Sequence, residues 1–139
     1  INLYPSLGFF EGTLINAGRG TEFQFQRYGA PFFPVNDFSY IPQANFGAKY
    51  PKFKGEKCYG MDLSNVERQH KVNLKWLIDA YHKTPKDKSF FGETFTIHAG
   101  NETLRKQIES GMTAEEIRNS WKTDLAKFKK IREKYLLYK

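Results

Sequence analysis

Residues 10–32 have the sequence FEGTLINAGRGTEFQFQRYGAPF, in which short apolar segments alternate with glycines and with opposite charges. Glycine lets the backbone turn sharply or approach another group closely. Arg19 stands between Gly18 and Gly20, where its planar guanidinium can bind a carboxylate through two hydrogen bonds. Glu11 lies eight residues earlier and can supply a carboxylate to the same concave surface as Arg19. The same glycines also suit a plain β-hairpin turn, so the local pattern allows a binding site and a purely structural turn.

The residues around this segment are typical of strands and one long loop. Alternating apolar side chains predict strands over residues 7–15, 23–28 and 57–63. Residues 29–55 between them are rich in proline, glycine and aromatic residues and predict a long, ordered loop. Loops of this length without secondary structure are usually functional, so this one is a candidate rim for a binding site.

The second half of the chain is predicted to be mainly helical. Apolar side chains at helical spacing predict a helix over residues 74–81, which Pro85 ends. Residues 95–98 are predicted to form a short strand, and Asn101 is predicted to cap the helix that follows. Residues 113–116 have the composition of a capping box at the start of another helix.

The apolar stripe of the C-terminal helices is predicted to belong to the core. Its members recur at intervals of three and four residues, with a possible break near Lys122; they are Ile117, Trp121, Leu125, Phe128, Ile131 or Arg132, and Tyr135. Strands clustered before helices predict an α+β fold, with a small, mostly antiparallel sheet from the N-terminal half packed against helices from the C-terminal half.

Two groups of residues resemble the C-terminal domain of the bacterial DUF1343 family, which includes the exo-β-N-acetylmuramidases of peptidoglycan recycling. The first group is Tyr4-Pro5-Ser6-Leu7, Phe10-Glu11-Gly12-Thr13, Gly18-Arg19-Gly20-Thr21 and Gly29-Ala30-Pro31. The second is Leu104-Arg105, Ile108, Gly111, Glu116-Ile117, Trp121, Leu125, Phe128, Arg132 and Tyr135-Leu136-Leu137-Tyr138. The two groups follow in order and cover nearly the whole chain.

The resemblance implies a hydrolase that removes terminal β-linked N-acetylmuramic acid from the non-reducing ends of peptidoglycan fragments. This sugar carries a lactyl carboxylate and an acetamide. Arg19 suits the carboxylate, and glycine-rich turns can offer backbone N–H donors. The residues expected to bind substrate are Thr13, Gly18, Arg19, Gly20 and Thr21. Glu11 is either a catalytic carboxylate or the group that orients Arg19.

The resemblance also implies the organisation of a longer protein. Residues 1–139 are expected to be a single domain, the C-terminal one of two, with the main acid and base residues in an N-terminal domain absent here. Glycosidases commonly use two carboxylates, and within the glycine-rich segment only Glu11 stands out. The expected partners are peptidoglycan fragments and that N-terminal domain, with no cofactor and no metal. The family resemblance places the protein in the bacterial periplasm or outside the cell.

Composition and residue spacing also bear on whether the chain is a membrane protein, a metal-binding protein or a nucleic-acid-binding protein. No apolar run approaches the roughly 20 residues of a membrane helix. Cys58 is alone, and His70, His82 and His98 match no metal-ligand spacing, although His98 is worth checking for a role in a site. Of the net charge of +7, most lies in residues 122–139, with seven basic and two acidic side chains.

Two alternatives remain open. The basic C-terminal segment is the pattern of either a nucleic-acid contact or, as we predict, a solvated helix face, because no nucleic-acid motif accompanies it. The second alternative is a non-catalytic carbohydrate-binding module. Its sugar-stacking residues would be aromatic side chains in and beside the long loop, namely Tyr28, Phe32, Phe33 and Tyr40.

Overall fold

The computed structural model describes residues 2–137, in which a three-stranded antiparallel sheet is combined with six α-helices and one 3₁₀ helix. The predicted α+β class is confirmed. None of the helices in these residues has both the length and the apolar character needed to cross a lipid bilayer. The same residues contain no cluster of three or more His, Cys, Asp or Glu side chains suited to a metal ion.

The sheet has its longest strand in the centre. Strands β1 (Arg27–Ala30) and β2 (Ser39–Tyr40) both pair with β3 (Cys58–Asp62), which gives the order β1-β3-β2. The strand predicted at 57–63 is therefore confirmed. The strand predicted at 23–28 begins later, because Phe25 adopts a positive φ of 56° and the Gln26 N–H donates to the carbonyl of Phe23 in a turn.

The N-terminal segment forms helix where a strand was predicted. Residues 7–15 do not form a strand, because α1 (Tyr4–Leu7) is followed directly by a 3₁₀ helix (Gly8–Gly12). A proline in the first turn favours helix, and Leu3, Leu7 and Phe10 recur at helical spacing and are all buried. These features outweigh the alternation that suggested a strand.

The second half is helical, as predicted. Its helices are α2 (Lys75–Lys83), α3 (Phe95–Ala99), α4 (Thr103–Glu109), α5 (Ala114–Ser120) and α6 (Lys122–Glu133). The capping box at Thr113 is present with both of its hydrogen bonds. Asn101 accepts a hydrogen bond from the Thr103 N–H, but the N-cap position of α4 is Glu102, which makes no side-chain capping bond, so the predicted cap lies one residue before the N-cap.

The short strand predicted at 95–98 is wrong, because this segment forms α3. The helix packs against the 3₁₀ helix so closely that a Cβ atom on Gly12 would lie 2.5 Å from the Cα of Phe95. Phe95 is buried, and Gly100, with φ of 82°, ends the helix. His70 lies in an exposed bend before α2.

One hydrophobic core joins the sheet to the helices. Its buried members include Phe10 and Tyr28, whose rings stack with centroids 4.9 Å apart, and Ile117 from α5. Cys58 is buried on β3, as predicted. The stripe of α6 is not part of this core: Leu125, Phe128, Ile131 and Tyr135 are 48%, 57%, 58% and 77% exposed, so the prediction of a core role for them is wrong.

Candidate functional site

The structure brings Glu11 and Arg19 together as an ion pair at the surface. The Nε atom of Arg19 lies 3.0 Å from Oε1 and 2.9 Å from Oε2 of Glu11. The Arg19 side chain is 39% exposed and the Glu11 side chain is 25% exposed, so the pair is open to solvent on one side. Glu11 engages only Nε, and Nη1 makes a long hydrogen bond of 3.4 Å to the Gly47 carbonyl, so Nη2 is the guanidinium nitrogen without a hydrogen-bond partner among the described residues.

Asn16 holds the turn that carries Arg19. Its side-chain N–H₂ donates to the carbonyls of Arg19 and Lys52, and its Oδ1 accepts from the Gly18 N–H at 2.7 Å. The hydroxyl of Tyr40 lies 3.1 Å from both Oδ1 and the backbone oxygen of Asn16. Asn16 is 1% exposed, so these bonds fix the backbone position of Arg19 from inside the molecule.

The glycines on either side of Arg19 serve the packing of the chain. Gly18 and Gly20 have φ angles of 75° and 81°, in the left-handed region that favours glycine. A Cβ on Gly18 would lie 2.7 Å from the Phe23 carbonyl, and one on Gly20 the same distance from the Gln43 carbonyl. Because the Gly18 N–H donates to Asn16, that amide is already engaged within the turn.

The two threonines predicted to bind substrate are engaged in the backbone turns. Thr13 is buried; its hydroxyl donates to the Phe10 carbonyl and accepts from the Ile15 N–H. Thr21 makes the same type of turn, donating to the Gly18 carbonyl at 2.7 Å and accepting from the Phe23 N–H. Both hydroxyls shape the loop around Glu11 and Arg19, and neither aims into open space.

Lys52 is a central residue that sequence reasoning missed. Its ammonium lies 2.6–3.3 Å from four backbone carbonyls, which belong to Phe10, Glu11, Thr13 and Ile15. Burial lowers the pKa of Lys52, and the neighbouring Glu11 carboxylate opposes this shift. The cation therefore closes the end of the 3₁₀ helix and fixes the backbone from which Glu11 projects.

A cavity of about 330 Å³ adjoins the ion pair. Glu11, Arg19, Tyr50 and Lys52 are among its lining residues. The loop at its edge exposes two aromatic rings, since Tyr50 is 90% exposed and Phe46 is fully exposed. The carbonyl of Gly47 accepts a long hydrogen bond of 3.4 Å from Arg19 Nη1, which places this loop against the guanidinium.

An aromatic pair supports Arg19 from the other side. The guanidinium carbon lies 5.3 Å from the centre of the Phe25 ring, and Tyr4 packs edge-on against the same ring. A ring face attracts a cation and restricts the guanidinium plane. The arrangement therefore presents a fixed, partly exposed planar cation beside a cavity, which can bind an anionic group through the edge that Glu11 does not occupy.

Most of the aromatic side chains that were considered for sugar stacking are not exposed at the surface. Tyr28, Phe33 and Tyr40 are buried, so they cannot form the sugar-stacking platform considered from the sequence. Phe32 does line an open groove, together with Phe53. His98 is exposed at the end of α3 with its ring against Gly12, one residue from Glu11.

Sequence reasoning found the ion pair but missed the groups that hold it. Lys52 and Tyr40 come from distant positions, and a lysine in a proline-rich loop carries no local signal that it is buried. The only usable signal for Phe46 and Tyr50 was the prediction that residues 29–55 form an ordered binding rim. Both side chains are exposed, and the predicted loop also contains strand β2 (Ser39–Tyr40).

Comparison with known proteins gives consistent matches. A family model described as "Exo-beta-N-acetylmuramidase NamZ, C-terminal" matches residues 2–138. The peptidoglycan beta-N-acetylmuramidase NamZ of Bacillus subtilis is 33% identical over an alignment that covers 98% of this chain and 37% of that protein. A crystal structure of a DUF1343 family protein from Bacteroides fragilis superposes with a TM-score of 0.93 at 40% identity, covering 99% of this chain and 40% of the other.

The chain thus spans well under half the length of the relatives it matches. The matched part includes the whole turn from Glu11 to Thr21 and extends through all six helices. The chain belongs to the family of exo-β-N-acetylmuramidase NamZ C-terminal domains.

Proposed function

We propose that this chain forms one wall of the substrate cleft in a glycosidase that removes terminal β-linked N-acetylmuramic acid from peptidoglycan fragments. The observation that carries the proposal is the position of Arg19, whose guanidinium lines a cavity in a domain of this family and has one edge, that of its terminal nitrogens, engaged only by a long hydrogen bond to Gly47. A lactyl carboxylate is a planar anion that matches this edge. The lactyl group also distinguishes muramic acid from N-acetylglucosamine.

In this proposal Glu11 orients Arg19 and closes one side of the substrate site. Both of its carboxylate oxygens lie within 3.0 Å of Arg19 Nε, which suits an orienting role better than that of a proton donor. Thr13, Gly18, Gly20 and Thr21 support the wall through the backbone. The main acid and base residues are then expected in the larger part of the full-length protein.

The substrate suggests where the protein works. Peptidoglycan lies outside the cytoplasmic membrane, so we propose a location in the bacterial periplasm or outside the cell. Fractionation of the source bacterium, with detection of the full-length protein by an antibody, tests this. Recovery in the cytoplasmic fraction alone rejects it.

The activity is tested with the full-length protein on a chromogenic β-N-acetylmuraminide and on the matching β-N-acetylglucosaminide. We expect release of the chromophore from the muraminide and much slower release from the glucosaminide. A carbohydrate-binding module is the second candidate, favoured by the exposed ring of Tyr50, which lines the cavity, and by the exposed ring of Phe46 in the same loop. Binding of muropeptides without any hydrolysis supports the module and rejects the glycosidase.

A further inference from the structure

The last helix carries an apolar stripe that no other part of the described chain covers. Leu125, Phe128 and Ile131 follow one another at intervals of three residues, so they lie on one side of α6, and they are 48–58% exposed. Beyond the helix, Tyr135 and Leu137 are 77% and 92% exposed. Monomeric proteins seldom leave a contiguous apolar surface of this kind in water, and such surfaces usually mark an interaction site.

The helix has little to stabilise it within this domain. None of the residues of α6 is buried, and its main contacts are with α5. A helix of 12 residues is marginal in water by itself, and most helices depend on packing of an amphipathic face. An external surface that covers the stripe would supply this packing.

We propose that the α6 stripe (Leu125, Phe128, Ile131 and Tyr135) docks against the N-terminal part of the same full-length protein. The relatives are matched over only 37% and 40% of their length, and the matching family model describes a C-terminal domain. A large segment of the same polypeptide is therefore on hand to cover the stripe at high effective concentration. This inference concerns how the domains assemble and does not depend on the proposed activity.

Hydrogen bonds connect Asn2, the first described residue, to the part of the domain that carries α6. The Asn2 side chain bonds the backbone of Glu67 and Gln69, with the Gln69 N–H donating to Asn2 Oδ1 at 2.6 Å. A few residues on, the Val72 carbonyl accepts a hydrogen bond from Arg118 of α5. The segment from Glu67 to Val72 thus links Asn2 to α5, the helix that directly precedes α6.

The chemistry of the face selects a protein surface over a nucleic acid. The centre of the stripe is aliphatic and aromatic, whereas binding to phosphates requires cations at the contact. The basic residues follow the margins and the opposite face, among them Lys127, Lys129 and Lys130. The covering surface is thus expected to have an apolar centre and acidic residues at its rim.

Thiol labelling in the native full-length protein tests the docking. Phe128→Cys places a thiol in the stripe, and Lys130→Cys is the matched control on the opposite face, because two residues turn a helix by about 200°. Cys58 is buried and contributes a slow background, which the unsubstituted protein measures. We expect Cys at 128 to react with a maleimide at least tenfold more slowly than Cys at 130, and both at equal rates in urea.

Two results overturn the proposal. Equal rates at the two positions in the native protein, repeated with Ile131→Cys in case Phe128→Cys loosens the contact, show that the stripe is uncovered. Protection that disappears on dilution of the full-length protein shows that a second copy covers the stripe, and this rejects the N-terminal part as its occupant. Protection that is independent of protein concentration supports the proposal.

Discussion

The ion pair of Glu11 and Arg19 joins two residues that the sequence singled out for their charges and neighbouring glycines. Glu11 engages only the Nε atom of the guanidinium, and Arg19 is one of the residues that line the cavity. If a lactyl carboxylate binds there, the geometry of the fork matters in addition to its charge.

Arg19→Lys in the full-length protein separates geometry from charge. Lysine keeps the positive charge but loses the planar fork, so one charge-assisted hydrogen bond to the substrate carboxylate is lost. We expect a cost of about 1.5–3 kcal/mol, or roughly ten- to a hundredfold in kcat/KM on the muraminide. The loss on an N-acetylglucosamine analogue, which has no lactyl group, is expected to be smaller.

A purely structural role of Arg19 predicts a different result for the same variant. If Arg19 serves only to hold the loop through Glu11, both substrates lose activity equally and the melting temperature falls. Equal losses together with a lower Tm therefore reject the ligand role of Arg19.

Lys52→Met tests whether the buried ammonium holds the Glu11 turn. The change leaves the carbonyls of residues 10, 11, 13 and 15 without this donor in a half-buried site. We expect the free energy of unfolding in urea to fall by about 3 kcal/mol. Lys54→Met, at an exposed position two residues away, is the control and is expected to change it by less than about 0.5 kcal/mol. Equal effects of the two variants contradict the role of Lys52.

Much of the site at the scale of single residues could be predicted, because Glu11, Arg19 and the glycines lie close in sequence. Asn16, Tyr40 and Lys52 could not, since their roles depend on contacts between segments more than 20 residues apart. The roles of Thr13 and Thr21 were also out of reach, because turn-forming and ligand-binding hydroxyls occur in the same sequence patterns.

At the scale of elements, one predicted strand is correct and two predicted strands are helical in the structure, and burial and turn geometry explain the difference. Residues 57–63 form the central strand β3, where alternation and hydrogen bonding agree. Residues 7–12 and 95–98 form helical turns, because Pro5 starts the first of these helical segments and the second packs on Gly12. Short segments of this length carry too few repeats for periodicity alone to separate strand from helix.

The pairing of β1 with β3 depends on two facing glycines. Gly29 and Gly60 are cross-strand partners, and a Cβ on Gly60 would lie 1.9 Å from the Tyr28 carbonyl oxygen. We expect Gly60→Ala to lower the free energy of unfolding by about 3 kcal/mol, because the strands must separate to admit the methyl group. Gly8→Ala is the control: nothing lies within 4 Å of its added Cβ, and its φ is −57°. A Gly60→Ala variant as stable as Gly8→Ala contradicts this close approach.

The capping box of α5 gives the stability of this helix a pH dependence. Hydrogen bonds from the Thr113 backbone N–H and hydroxyl lower the pKa of Glu116 below its ordinary value. A carboxyl whose pKa is lower in the folded state stabilises the fold above its unfolded pKa and loses this effect as the pH falls through the folded value. We expect Glu116→Ala to be less stable than wild type at neutral pH, with the gap closing below about pH 4.

Glu115→Ala is the matched control for this pH series. Glu115 lies in the same exposed first turn but takes no part in the capping box. Urea unfolding at several pH values checks the prediction, and a gap between wild type and Glu116→Ala that is constant with pH contradicts it.

At the scale of the whole molecule, we expect the isolated 139-residue chain not to hydrolyse glycosides at a useful rate. It offers Glu11 as its one prominent candidate carboxylate, and that group is paired with Arg19. Incubation of the purified chain with a chromogenic β-N-acetylmuraminide, alongside the full-length protein, checks this. Robust turnover by the chain alone refutes the division of the site between domains and makes Glu11 the leading acid.

The class of the fold was predictable from the clustering of strands before helices, whereas the surface of α6 was not. Apolar spacing identifies the face of a helix that is to be covered, but it does not reveal which segment covers it. The stripe from Leu125 to Tyr135 has the pattern of a core residue set and is exposed in this domain. The core role that the sequence pattern predicted for these side chains is therefore wrong within residues 2–137.

The topology of the sheet also sets an order of events during folding. Arg27 pairs with Asp62, so β1 must wait for a partner from far along the chain, and Asn16 in turn bonds Gly29 of β1. Helices α4 and α5 form from neighbouring residues and need no such loop closure. Contacts distant in sequence form slowly because loop entropy is lost before they are made. We therefore expect refolding to show early helical signal and a slower phase in which the Arg19 turn becomes native, so this turn is among the last parts of the domain to form.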